Sequence, residues 1–373
     1  MKNVLFASTA LVALAGAAAA DVTVSGNAEM GIFGRDADGG ASGDGVDTQF
    51  ATDIDVTFTM TGETDNGLSF GASIDIDEGG SGAAAVANDQ DDGGIAVFLS
   101  GAFGTVTLGD TDGALDWALT EVAFNSGSLR DDETEHAGYN GNAGLDGAGL
   151  GDGQILRYDY TVGDFGFAVS VEQLDAAGTP DDAANSIEGE TLGIGFRYSG
   201  EFAGIDLGFG LGYQNHNGDG GVDADAIGAS LNSTFGSITA GISYLALDDD
   251  TNSLTTKGGT GSYDHVGVGV GYTEGAISAS LNYGIYDFDD GTDSSDLDYD
   301  HVGVGIGYSS GAISASANYG HYDYDDGDEA EGFGLSAAYD LGGGASVQFG
   351  YGDSEFRDDT NRETFSLGVR MNF

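Results

Sequence analysis

An alternation of period two recurs along nearly the whole chain, and it constrains the fold more than any other feature. In Thr191–Tyr198 the even positions, Leu192, Ile194, Phe196 and Tyr198, are apolar, while the odd positions are Thr, Gly, Gly and Arg. Ile54, Val56, Phe58 and Met60 alternate in the same way with Asp53, Asp55, Thr57 and Thr59. Successive side chains of a strand point to opposite faces, so each such segment has one apolar and one wet surface. Helix is disfavoured for a second reason. Glycine supplies 68 of the 373 residues, more than twice its usual share, and it weakens helix interiors. The chain reads as all-β.

A soluble sandwich and a closed transmembrane barrel both bury one face of each strand, so length, loops and charge must separate them. The alternating segments run to about ten residues, the length that crosses a bilayer at a tilt. Eighteen are counted: 21–34, 47–61, 67–77, 93–100, 103–109, 153–163, 164–174, 190–199, 204–216, 224–234, 236–247, 263–273, 275–288, 299–309, 311–324, 331–341, 345–356 and 363–373. Glycine-marked tight turns alternate with long acidic connections at 35–46, 78–92, 110–152, 175–189, 248–262 and 289–298. Short turns at one end and long polar loops at the other fit a membrane barrel. Charge agrees. An Arg or Lys on a lipid face costs roughly 2–4 kcal/mol at the midplane, so strand charges belong on the Gly/Ser/Thr side. Asp75, Arg157, Asp159, Glu172, Arg197, Asp206 and Arg370 all fall there, as does Asp55 opposite Ile54 and Val56. His321 falls on the apolar parity, which places it at a rim or against another subunit.

Composition narrows the function classes. Nine Lys and Arg against 63 Asp and Glu give a formal charge of −54, which argues against nucleic acid, whose phosphates need basic partners. Residues are 40% hydrophobic with 17 Tyr and 20 Phe, too many for a disordered acidic chain. Cysteine is absent, excluding disulfides, thiolate metal sites and thiol nucleophiles. The first twenty residues read as a secretory signal peptide: Lys2, an apolar stretch from Val4 to Ala17, and Ala18-Ala19-Ala20 before Asp21. Residues 21–373 then form a single domain, exported and, by the arguments above, inserted as a barrel.

The chain also holds a duplication. Asp264–Gly291 (DHVGVGVGYTEGAISASLNYGIYDFDDG) and Asp300–Gly327 (DHVGVGIGYSSGAISASANYGHYDYDDG) match at 22 of 28 positions. Each copy is strand, turn, strand and acidic loop, the hairpin unit by which a closed antiparallel barrel grows without exposing an edge.

The chain resembles the general diffusion porins of Gram-negative bacteria, particularly the alphaproteobacterial porins of Rhodobacter type. The carrying segments are Asp21–Gly34 (DVTVSGNAEMGIFG), Phe58–Gly71 (FTMTGETDNGLSFG), Phe98–Asp110 (FLSGAFGTVTLGD), Tyr339–Ser346 (YDLGGGAS) and the end, Phe365–Phe373. The resemblance implies a closed antiparallel transmembrane β-barrel, in a homotrimer set among outer-membrane lipid and lipopolysaccharide, reached through the periplasm. Phe373 would be the residue read by the insertion machinery. Such porins usually have sixteen strands, so the expected number is eighteen by count, or sixteen if the duplicated hairpin is accommodated otherwise.

In this family the third long loop folds inward and narrows the channel. The matching segment, 110–152, contains the single tryptophan, Trp117. By resemblance Asp110, Asp112, Asp116 and Glu121 would face the constriction, with Arg157 and Arg197, and then Arg35 and Arg370, on the opposite wall. Asp55, Asp75 and Asp159 would line the lumen. The implied function is passive diffusion of small hydrophilic solutes, and the acid excess adds a preference for cations. Two alternatives stay open. One is a sugar-specific channel, which would want a line of inward aromatics, whereas most Tyr and Phe here lie outward. The other is a secreted Ca²⁺-binding β-structural protein, which would want short repeats that are absent. Acidic clusters at 248–250, 287–293 and 323–328 are hard-oxygen donors that either bind Ca²⁺ or are solvated surface charge. No other cofactor is implied. No H-E-x-x-H or P-loop occurs, and an enzyme is not expected.

Overall fold

A computed structural model describes residues 21–38, 46–81, 94–123, 136–139, 145, 153–174, 189–218, 223–249, 261–289, 298–358 and 360–373. The proposed signal peptide at 1–20 lies outside the described residues, as does much of segment 110–152. Eighteen strands are present: β1 Asp21–Asp38, β2 Val46–Glu63, β3 Ser69–Ser81, β4 Ile95–Gly101, β5 Gly104–Asp110, β6 Gln154–Val162, β7 Phe165–Leu174, β8 Gly189–Phe202 and β9 Ile205–Gly218. They continue as β10 Asp223–Phe235, β11 Ile238–Asp249, β12 Ser262–Glu274, β13 Ile277–Asp289, β14 Tyr299–Ser310, β15 Ile313–Tyr324, β16 Glu329–Gly342, β17 Ala345–Glu355 and β18 Asn361–Asn372. Among the described residues one α-helix, α1, spans Ala114–Ala118.

Every strand pairs antiparallel with its sequence neighbours, and β1 pairs with β18, Asn27 opposite Asn372 and Asp38 opposite Asn361. The sheet therefore closes on itself, and closure removes the edges that would otherwise stay unpaired. The count is eighteen. The sixteen-strand alternative is corrected, because both copies of the duplicated hairpin, β12–β13 and β14–β15, are paired into the wall. At Gly236, Gly275 and Gly311 the tight turns take φ of +61°, +63° and +61°, a conformation open to glycine without steric cost.

Polarity is inverted relative to a soluble domain. Ile306 (58% exposed), Ile194 (55%) and Leu281 (51%) look outward, among dozens of exposed large apolar residues, while the alternate positions of the same strands carry Gly, Ser, Asn and Thr. Water does not tolerate an apolar belt of this extent, whereas acyl chains do. Among the described residues no helix is long and apolar enough to cross a membrane. The strands are the crossing elements.

Charge parity holds along the strand bodies but not at their loop ends, where carboxylates face outward. They are held by tyrosines of the adjoining strand. Tyr244 donates its hydroxyl to Asp264 at 2.8 Å and Tyr283 to Asp300 at 2.6 Å, and Tyr213–Asp225 and Tyr319–Glu331 repeat the arrangement. In each case the acid stands two residues nearer the loop than the tyrosine's register partner. His321, on the same outward parity, lies beside Glu331 (Nδ1 to Oε2, 3.4 Å) near the loop end of β15.

Candidate functional site: the barrel interior

The described parts of the connection between β5 and β6 lie on the inner wall. β5 stops at Asp110 after seven residues, so the chain leaves the sheet early and turns onto the inner wall. Residues 114–118 form a single helical turn whose Ala114, Leu115, Trp117 and Ala118 are buried against β7, β8 and β9. The wall is cleared for it by glycine. A Cβ on Gly195 would overlap the Ala114 carbonyl oxygen, and one on Gly210 would overlap that of Ala118. Side chains flank the bare strip: Ser170 Oγ accepts from the Ala114 N–H at 2.9 Å, and Ser230 Oγ from the Thr120 N–H at 3.0 Å.

The named acids divide by environment. Asp110, Asp112 and Asp116 are exposed, and Asp116 is the one helical residue turned away from the wall. Glu121 is half-buried and accepts the Leu145 backbone N–H at 2.9 Å, tying two parts of the connection together.

The arginines are placed differently from one another. Arg157 on β6 touches the connection directly: its Nη1 donates to the Asp112 carbonyl at 2.7 Å and lies 3.8 Å from the Asp112 carboxylate, and its Nε is 3.4 Å from Asp159. Arg197 on β8 stacks its guanidinium over the Trp117 ring at 3.8 Å. Both stand on the wall that the connection covers, in contact with it rather than across the interior from it. Arg35 on β1 and Arg370 on β18 belong to a different stretch of wall. Arg370 bonds Glu29 at 2.9 Å, and Arg35 lies over the Phe33 ring at 5.7 Å. The inward face of β18 also carries Arg362, over Phe356 at 4.6 Å, which the sequence reading omitted. Its even parity, shared with Arg370, was the available signal.

Asp55 and Asp75 face inward on β2 and β3. Asn27 donates to Asp55 at 2.9 Å and Thr57 to Asp75 at 3.1 Å. Among the described residues no group of three or more His, Cys, Asp or Glu side chains is arranged to hold a metal ion. Phe373, 71% exposed, ends the chain beyond β18, its N–H bonded to the Gly26 carbonyl at 2.9 Å.

Aromatic residues are not confined to the outside. Tyr263, Tyr286, Phe288 and Tyr299 point inward from the duplicated hairpins and pack with Leu115, Leu145, Leu245 and Leu247. Tyr286 and Tyr299 stack with centroids 4.4 Å apart. Each of the four is at most 6% exposed, so they form a core beneath the connection and not an open aromatic track.

The comparisons with known proteins agree with one another. A family model described as Gram-negative porin matches residues 7–298 and 287–359. The chain is 25% identical over 360 residues to a porin of Rhodobacter capsulatus, covering 95% of this chain and all of that one. A porin structure refined at 1.8 Å superposes with a TM-score of 0.52 at 24% identity, over 95% of this chain and all of the other. A variant of the Rh. blastica porin gives 0.53 at 18% identity, over 94% and 100%.

Proposed function

This chain belongs to the Gram-negative porin family, an outer-membrane β-barrel family, and from that premise we propose that it forms a water-filled passage for small hydrophilic solutes and ions, with a preference for cations. The observation that carries the reading is the inverted polarity of the wall. Apolar side chains are exposed outside, while Asn27, Glu29, Asp55, Asp75 and Arg370 stand on the inner face. Segment 110–152 acts as the constriction, with Asp110, Asp112 and Asp116 at its exposed edge. Arg35, Arg362 and Arg370 of β1 and β18 supply cationic groups on another stretch of the inner wall. Arg157 and Arg197 fix the connection to its wall.

Cation preference follows from the overall balance of 63 acids to 9 bases, because a negative vestibule raises the local concentration of cations. Salt weakens it, since the screening length falls from about 8 Å at physiological ionic strength to about 3 Å at 1 M. Reversal potentials in planar bilayers under a KCl gradient test the proposal. A cation-selective potential that collapses toward zero at high salt is expected, and anion selectivity overturns it. Residues 1–20 direct export through the periplasm, and assembly is as a homotrimer among lipid and lipopolysaccharide. Conductance steps arriving in threes are the expected sign of the trimer. The conduit is passive, with no catalytic step, and the roofed aromatic cluster supports a general rather than a sugar-specific passage.

A further inference from the structure

A second part of the β5–β6 connection, His136–Tyr139, rests on the inner wall at strands β14 to β17, beyond the strands β7 to β9 that hold α1. His301 Nε2 donates to the Gly138 carbonyl at 2.9 Å, and Asn318 Nδ2 donates to His136 Nε2 at 2.9 Å. The Ala137 N–H donates to Ser354 Oγ at 3.0 Å, and the Tyr322 hydroxyl to the Tyr139 carbonyl at 3.3 Å. Gly138 and Gly320 meet backbone to backbone, so that a Cβ on either would overlap the carbonyl of the other. His136 itself lies over Gly332 and Gly334 of β16. His301, Asn318, Gly320 and Tyr322 all belong to the second copy of the duplicated hairpin. Their counterparts in the first copy are His265, Asn282, Gly284 and Tyr286. His265 there reaches the Ile285 carbonyl of its own hairpin, at 3.3 Å.

We infer that His136–Tyr139 is a second anchor of the connection, that the β14–β15 hairpin supplies its landing site, and that this anchor sets the width of the passage. The inference rests on the reading of the interior as that passage. Four hydrogen bonds and a glycine–glycine contact are more than a loop brushing a wall needs. They draw on β14, β15 and β17, with β16 beneath His136, whereas α1 is held by β7 to β9. Anchored at both places, the connection cannot retract toward one side of the interior. Released at the second, it can.

The chain has no cysteine, which makes a cross-link clean. The double variant A137C/S354C is refolded as the full mature chain in detergent and oxidised. A disulfide is expected in the heat-modifiable, folded barrel, with the single-channel conductance of the parent. Adding G320V should abolish the cross-link, and G320V alone should raise the conductance and the size of sugar that enters liposomes. If G320V does not fold, N318A and H301A remove the hydrogen bonds without adding bulk to the wall, and the same rise is expected of them. Failure of the thiols to couple in the folded barrel overturns the anchor. So does unchanged conductance and sugar cut-off in the folded release variants. A parent barrel that conducts nothing would instead remove the reading of the interior as a passage, while the cross-link would still report where the segment sits.

Discussion

At the residue scale, His136 is a buried side chain of the connection that responds to pH. It lies in the connection, outside the strands, and burial, with a smaller contribution from the nearby His301, pushes its pKa down from the usual 6.5 to about 4. Its Nε2 accepts from Asn318, and its buried Nδ1 has no hydrogen-bond partner. The groups that meet it are Asn318 from β15, the ring of Tyr139 in its own segment, and the Gly332 and Gly334 backbone of β16, with His301 of β14 nearby. The carboxylates of Glu331 and Asp353 on β16 and β17 sit on the outward parity. Docked, this imidazole binds fewer protons than when released, so docking is fully favoured above about pH 6.5 and is lost progressively as pH falls toward about 4. Conductance noise should therefore grow on acidification through that window in the parent. In His136→Phe it should be flatter, as read by bilayer recordings at stepped pH.

At the scale of the element, parity decides what a strand tolerates. Phe58 and Thr59 are neighbours on β2, the first outward and the second inward. Phe58→Arg should cost roughly 2–4 kcal/mol of barrel stability if it lies near the midplane, while Thr59→Arg should be close to neutral. Urea titration of refolding into lipid vesicles measures the difference. The outward acids at the loop ends mark where the rule stops. Asp225, Asp264, Asp300 and Glu331 lie past the tyrosines whose hydroxyls they accept. Tyrosine is the residue suited to a boundary with one apolar and one wet side. The same alternation that identified the strands could not locate that boundary, because it reports which face a residue takes and not how far along the barrel axis it sits.

For the whole molecule, the duplication and the closure are linked. Because Tyr263 and Tyr299 occupy the same place in the two copies, deleting residues 264–299 joins Tyr263 to Asp300 and preserves the register of the following strands. The product should close as sixteen strands. Barrel diameter grows about linearly with strand number, so it should narrow by about a tenth. Heat-modifiable mobility should persist and single-channel conductance should fall. A barrel that no longer folds would show that the two copies have become interdependent.

The amino-acid sequence determined on its own that the chain is built of alternating strands, eighteen by count, and which way nearly every strand side chain faces; closure and the place of the duplicated hairpin in the wall came from the structure. The strand pattern and its parity are local. A period of two needs only neighbours, and the duplicated hairpin declares itself by identity. It also singled out the segment after β5, whose length and lone tryptophan set it apart. Tertiary structure alone decided where that segment lies: α1 on a strip cleared by Gly195 and Gly210, and His136–Tyr139 against His301, Asn318 and Ser354. It also separated Arg157 and Arg197, which touch the connection, from Arg35, Arg362 and Arg370, which stand on β1 and β18. The physical reason is distance along the chain. Parity sends a side chain inward, but what it meets there is set by backbone far away in sequence, brought into reach only when the sheet closes.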